Sequence, residues 1–186
     1  MEEIDFYLQH AEEQMDKTVE HTSQELSKIR AGKAMPSMLD GLMVDYYGAP
    51  TPINQVASIT APDARTIAVK PWEKNVIPDI EKAIINSDLG LNPQNDGEMV
   101  RINIPPLTEE RRIQLVKAAK LEAENGKISL RNIRKDTNDS LKKLLKENVS
   151  EDLVKDAEGE VQKITDNHTK RIDEILSRKE EDIMTI

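Results

Sequence analysis

Every one of the nine prolines lies between Pro36 and Pro106, and the 35 residues before that stretch and the 80 after it contain none. Proline lacks a backbone N–H and clashes inside a helix. The two flanks are therefore free to run as long helices, and the middle is not. Five of the seven glycines also fall between Gly32 and Pro106. The chain is divided into helical ends and an interrupted centre before any finer pattern is read.

The first 30 residues read as one helix. Ile4, Leu8, Ala11, Met15, Val19, Thr22, Leu26 and Ile29 recur at steps of three and four, the amphipathic spacing. Helical periodicity returns at Thr108, a capping residue followed by Glu109 and Glu110 where the positive helix end favours acids. Val116, Ala119, Ala123, Gly126, Leu130, Ile133, Thr137 and Leu144 carry a seven-residue pattern down to Lys146. Gly126 on that seam predicts close backbone approach to a neighbouring helix. Ser150 caps a third helix with Val154, Ala157, Val161, Ile164, Ile172, Ile175 and Ile183 inward, and a phase slip is expected near His168.

The centre is expected to hold strands at 42–47, 53–60, 65–70 and 99–104. A short helix capped by Asn75 has Ile77, Ile80, Ala83 and Ile84 on one face and stops at Leu89-Gly90. Tyr46 and Tyr47 alternate faces, so one belongs to the core, and Trp72 either makes an exposed contact or covers the sheet.

None of the long helices can bury its own stripe, so they must bury one another's. The fold class is α+β: an elongated three-helix bundle from 1–30 and 107–186, with a small α/β domain (β-α-β, sandwich-like) at 31–106 inserted between the first and second helices. The chain crosses between them at 30–36 and 104–106. Arg30, Ala31, Gly32, Lys33, Pro105 and Pro106 are the hinge candidates, with Gly32 loosening the crossing and the proline pair limiting it.

Several function classes are excluded. Without Cys there is no disulfide framework, thiolate nucleophile or zinc ribbon. Phe6, Tyr7, Tyr46, Tyr47 and Trp72 are too few to build a base-stacking platform. No apolar run approaches the ~20 residues of a membrane span. The acidic start is the opposite of a signal or transit peptide, so a soluble, cytoplasmic chain is expected. His10, His21 and His168 lack metal-ligand spacing. No phosphate loop or nucleophile elbow occurs, and Asp40, Asp45, Asp63 and Asp88 read as turn or cap residues. No catalytic residue, metal or cofactor is expected: the chain does not read as an enzyme.

Charge is sorted by segment. Residues 1–30 carry −5, 31–105 carry −3, 106–146 carry +5 and 147–186 carry −6. At about 100° per residue, Lys117, Lys120, Lys127, Arg131, Arg134, Lys135 and Lys142 fall within roughly ±60° of one line, beside the apolar seam, with Glu124 the only acid among them. One reading pairs these cations with acids on the other two helices. The other gives them a polyanion of fixed geometry, structured RNA above all, because guanidiniums such as Arg131 and Arg134 suit phosphate forks. Arg111 and Arg112 either extend this ridge or neutralise Glu109 and Glu110. A coiled-coil adaptor binding partner helices is the alternative from a different class. It accounts for three stripes but not for one-sided cations or the inserted domain.

Five stretches resemble the bacterial ribosome recycling factor family: Leu39-Asp40-Gly41, Val44 to Pro52, Ser87 to Pro93, Pro105 to Arg112, and Arg131 to Asp136. They occur in order across nearly the whole chain. The resemblance implies a three-helix bundle with an inserted small domain in an L-shaped, tRNA-like outline. It implies a factor that binds the post-termination ribosome and, with elongation factor G and GTP, separates the subunits so that mRNA and tRNA leave. It implies rRNA-backbone contacts at Arg131 and Arg134, and tips Arg111 and Arg112 toward the same role, with Lys127 and Lys135 beside them. Partners would be large-subunit rRNA and elongation factor G; a monomer is expected, with no membrane contact. Lys33 and Lys135 stand where the family often has Arg, keeping charge without the bidentate fork.

Overall fold

The computed structural model describes residues 2–185. In chain order the elements are α1 (Glu2–Lys28), β1 (Met43–Tyr46), β2 (Ala49–Pro52), α2 (Ile53–Val56), β3 (Ala57–Asp63), β4 (Thr66–Pro71), α3 (Ile77–Ile85), β5 (Pro93–Asn95), β6 (Val100–Asn103), α4 (Glu109–Lys143) and α5 (Glu151–Met184), with 3₁₀ turns at Pro36–Leu39, Lys74–Val76 and Leu144–Glu147. They form two compact units, Met1–Ala31 with Glu109–Ile186, and Gly32–Thr108.

In the first unit α1, α4 and α5 pack on one another. Met15, Val19, Ala123, Leu130 and Ile172 make its middle. Ile4, Leu141, Leu144, Val154, Ala157 and Val161 form a second cluster, and Leu26, Ala119 and Ile183 a third. Gly126 is buried against both other helices: a Cβ there would overlap the Thr22 hydroxyl and lie 3.1 Å from Ile172 Cδ1. The Ser150 hydroxyl accepts a hydrogen bond from Leu153 N–H at 3.4 Å, capping α5.

The expected phase slip in α5 is absent. Thr165 and His168 are buried and continue the seam between Val161 and Ile172. Their polar atoms are satisfied locally. The Thr165 hydroxyl donates to the Val161 carbonyl at 2.7 Å. His168 Nδ1 faces the Ile164 carbonyl at 2.7 Å, and its Nε2 faces the Asp16 carboxylate at 3.0 Å. Arg171 donates to the same Asp16 oxygen at 2.5 Å. The hydrogen bonds from Arg171 first, then His168, hold the Asp16 carboxyl below its ordinary value of 3.8. A lowered carboxylate contributes stability above its unfolded value and loses it as pH falls through the folded one. Asp16 is half exposed, so the gain is under about 1 kcal/mol. Asp16→Asn should lower the melting temperature slightly at pH 7, and the gap from the parent should close as pH drops below about 4. Circular-dichroism melts across that range check both points.

The second unit is built from two antiparallel sheets, β1-β2 and β3-β4-β6-β5, around α3. Strand prolines sit where a missing donor is tolerated: Pro50 and Pro52 in the two-stranded sheet, Pro62 and Pro93 on edge strands, Pro71 at the last position of β4. Tyr47 and Gly48, at φ 49 and 84, make the tight turn between β1 and β2 that needs positive φ at both positions. Leu39, Val44, Ile53, Ile67, Ile80 and Ile102 are in the core.

Several local expectations are corrected. Residues 53–56 form one helical turn, α2, before β3 begins. The 3₁₀ turn sets Val76, not Asn75, ahead of α3, and the Asn75 amide donates to the Tyr47 hydroxyl at 2.9 Å. The helix ends at Ile85, short of Leu89-Gly90. Gly48 to Pro52 reads as a turn from its glycine and prolines, yet Ala49–Pro52 is strand β2, paired with β1; β5 is likewise not expected, because its Pro-Gln-Asn sequence has little strand character. Tyr46 packs against the core while Tyr47 is exposed, and Trp72 is exposed at 68%.

Candidate nucleic-acid interface

The buried line of α4 runs through Ala119, Ala123, Gly126, Leu130, Thr137 and Leu141. Fixing that line inward fixes where every other side chain of the helix points, because each residue turns by about 100°. The cations cluster on the flank toward α5. Lys127 pairs with Asp173, Lys120 lies 3.5 Å from Glu180, and Lys142 lies 3.6 Å from Glu158. Arg134 donates to Gln162 at 3.1 Å. Arg131 pairs within its own helix, donating to Glu124 at 2.6 Å. For Lys117 and Lys135, both exposed, no ion pair is present among the described residues. The acids of α5 thus partner about half of the ridge, as the first reading of the charge pattern had it. These are solvent-washed pairs of little stability, which a phosphate can displace.

Arg111 and Arg112 are not brought onto this line. By the same rotation Arg112 falls on the inward side of α4, and its guanidinium donates to the Met184 carbonyl at 3.2 Å. A cation at the end of α5 complements the negative helix terminus. Arg111 falls on the flank away from the ridge and donates to Gln114 at 3.1 Å. Charge counting treated the two as one pair, whereas the rotation along α4 separates them. The α5 acids that answer the ridge were visible in the sequence only as that segment's net charge of −6.

The hinge candidates divide by unit. Arg30 and Ala31 follow α1. In the second unit Gly32 has φ +73, and a Cβ on it would meet Leu107, with Cδ1 at 2.7 Å. Ala34 N–H donates to the Ala64 carbonyl at 2.8 Å, and Ile104 N–H to the Arg65 carbonyl at 2.7 Å. Both chain crossings are thereby tied to the same β3–β4 turn, with Gly32 and Lys33 beyond one tie and Pro105 to Thr108 beyond the other.

Among the described residues there is no cluster of His, Cys, Asp or Glu able to hold a metal, and no helix is long and apolar enough to cross a membrane. The stripes that an adaptor would offer to partner helices are spent on the bundle's own core.

Comparison with known proteins finds a family model described as ribosome recycling factor, matching residues 22–184. The ribosome-recycling factor of Amoebophilus asiaticus is 58% identical over 186 residues, all of both chains. That of Cytophaga hutchinsonii is 53% identical over the same span. A solution structure of a ribosome recycling factor matches all of both chains with a TM-score of 0.73 at 34% identity. A structure of the T. thermophilus ribosome recycling factor, with E. coli elongation factor G on the E. coli post-termination complex, matches 98% of this chain and 99% of that one. Its TM-score is 0.61 at 47% identity.

Proposed function

The chain belongs to the ribosome recycling factor family, and on that premise we propose that it docks on the post-termination ribosome through the basic flank of α4. With elongation factor G and GTP it then separates the subunits. It is a translation factor and not an enzyme; GTP is hydrolysed by its partner. It works as a monomer in the cytoplasm. The observation that carries the reading is the one-sided line of cations on α4 in a chain matched end to end by recycling factors. Arg131 and Arg134 take phosphate forks, with Lys127 and Lys135 adding charge beside them. Arg111 offers a separate phosphate contact from the other flank, and Arg112 holds the end of α5.

The second unit supplies the moving part, turning at Arg30, Ala31, Gly32, Lys33, Pro105 and Pro106. The ties of Ala34 and Ile104 to the 64–65 turn confine the bending to the few residues beyond them. Gly32 is held at a positive φ that other residues rarely adopt.

The test is sedimentation of ribosomes stalled after peptide release. Splitting should require this protein, elongation factor G and GTP together; failure to bind ribosomes at low salt removes the reading. In the same assay Gly32→Ala, which strains the backbone and pushes into Leu107, should bind like the parent and split several-fold more slowly. Equal loss of binding and splitting would mean misfolding and would count against the hinge.

A further inference from the structure

We propose that Glu124 sets the selectivity of the α4 ridge by occupying Arg131 until the correct RNA displaces it; this rests on the RNA-docking reading above. Glu124 is the only acid on the line of cations. It reaches along the helix to Arg131, two turns on, at 2.6 Å, with both side chains about half exposed at 51% and 50%. The other acids that answer the ridge, Asp173, Glu180 and Glu158, reach it from α5 at its side. Glu124 alone stands among the cations themselves.

Two consequences follow from that position. An RNA meeting the ridge finds one of its two guanidiniums already neutralised, and a carboxylate facing its phosphates. A loose encounter through one or two phosphates gives back much of its small gain in breaking the pair. A backbone that meets Arg134, Lys135 and Lys117 together gains enough, because the exposed pair is weak. When Arg131 turns to phosphate, Glu124 is left bare and attracts a cation from solution. That uptake offsets part of the counterion release that drives binding. Glu124 therefore weakens attachment to any RNA, and most for RNA of the wrong shape, which makes no fork with Arg131 to repay the broken pair and keeps the carboxylate against its phosphates. It also favours departure once the subunits have parted.

The experiment compares the parent, Glu124→Gln, Arg131→Ala and the double variant, binding to post-termination ribosomes and to a plain RNA duplex over a range of salt. Glutamine keeps the shape and removes the charge, and far-ultraviolet circular dichroism confirms the fold. Glu124→Gln should bind the duplex about two- to fivefold more tightly at low salt, gain less on ribosomes, and lose the gain as salt rises. In the Arg131→Ala background the substitution should give a smaller gain, because only the repulsion between carboxylate and phosphate is left to remove. No change on the duplex overturns the proposal, as does an equal gain with and without Arg131. Failure of the parent itself to bind ribosomes would instead strike at the docking reading.

Discussion

Arg131→Ala and Arg134→Ala combined should weaken binding to post-termination ribosomes on the order of a hundredfold at moderate salt. The slope of log affinity against log salt should become shallower by roughly 1.4–1.8, since each lost phosphate contact removes about 0.7–0.9. A hydrogen bond to a charged group is worth about 1.5–3 kcal/mol. Part of that is offset here, because docking first breaks the contacts to Glu124 and Gln162. Both side chains lie at the bundle's surface, so melting curves of variant and parent should nearly coincide. Arg111→Ala lies off the ridge and should reduce affinity less than either ridge arginine. Filter binding or sedimentation over a salt series gives the slopes. Weakened binding with an unchanged slope would mean that these arginines shape the bundle rather than touch phosphate.

Gly126→Val should destabilise the first unit by about 1–3 kcal/mol. For a chain of this size that lowers the melting temperature by roughly 6 °C. The first added carbon would overlap the Thr22 hydroxyl, which is held by its hydrogen bond to the Thr18 carbonyl at 2.9 Å. On the other side stands Ile172 Cδ1, 3.1 Å from the new atom. Valine adds two methyl groups into that space with restricted rotamers. Against this stands the helix propensity lost by having glycine, up to about 1 kcal/mol relative to alanine. The overlap wins because side chains on both neighbouring helices, Thr22 and Ile172, would have to give way within a buried seam. Gly126→Ala should fall between, and adding Thr22→Ala should recover part of its loss. A valine variant that melts like the parent would show that α1 and α4 do not approach so closely.

The three long helices were legible because each carries an apolar stripe that only its neighbours can bury, and Gly126 marked the tightest point. What escaped was polar. Thr165 and His168 looked like a break in the α5 stripe. A threonine can return its proton to the preceding turn, and a histidine can bridge to Asp16, but only once α1 is known to lie alongside. Ile53 and Val56 favour strands as well as cores, so the pattern at 53–56 points to a strand where the structure has one helical turn. In the ridge, the sequence placed the cations on one side of α4. Their individual partners depend on how α5 is set along α4, which no single-helix pattern contains. Arg112 shows the same limit: its charge was evident, and its bond to the Met184 carbonyl required the far end of another helix.

Because α1 is made before the second unit and its partners α4 and α5 only after it, the bundle cannot assemble in the order in which it is translated. At about 5–20 residues per second, the 80 residues separating the end of α1 from the start of α4 take on the order of ten seconds to synthesise. Throughout that interval Met15, Val19 and Leu26 have nothing to pack against, and only at its end does the second unit, continuous in sequence, complete its own core. The eight acids among the first 30 residues then serve a purpose distinct from any in the finished molecule. They keep a waiting amphipathic helix dissolved, and repel it from other nascent copies, until α4 arrives.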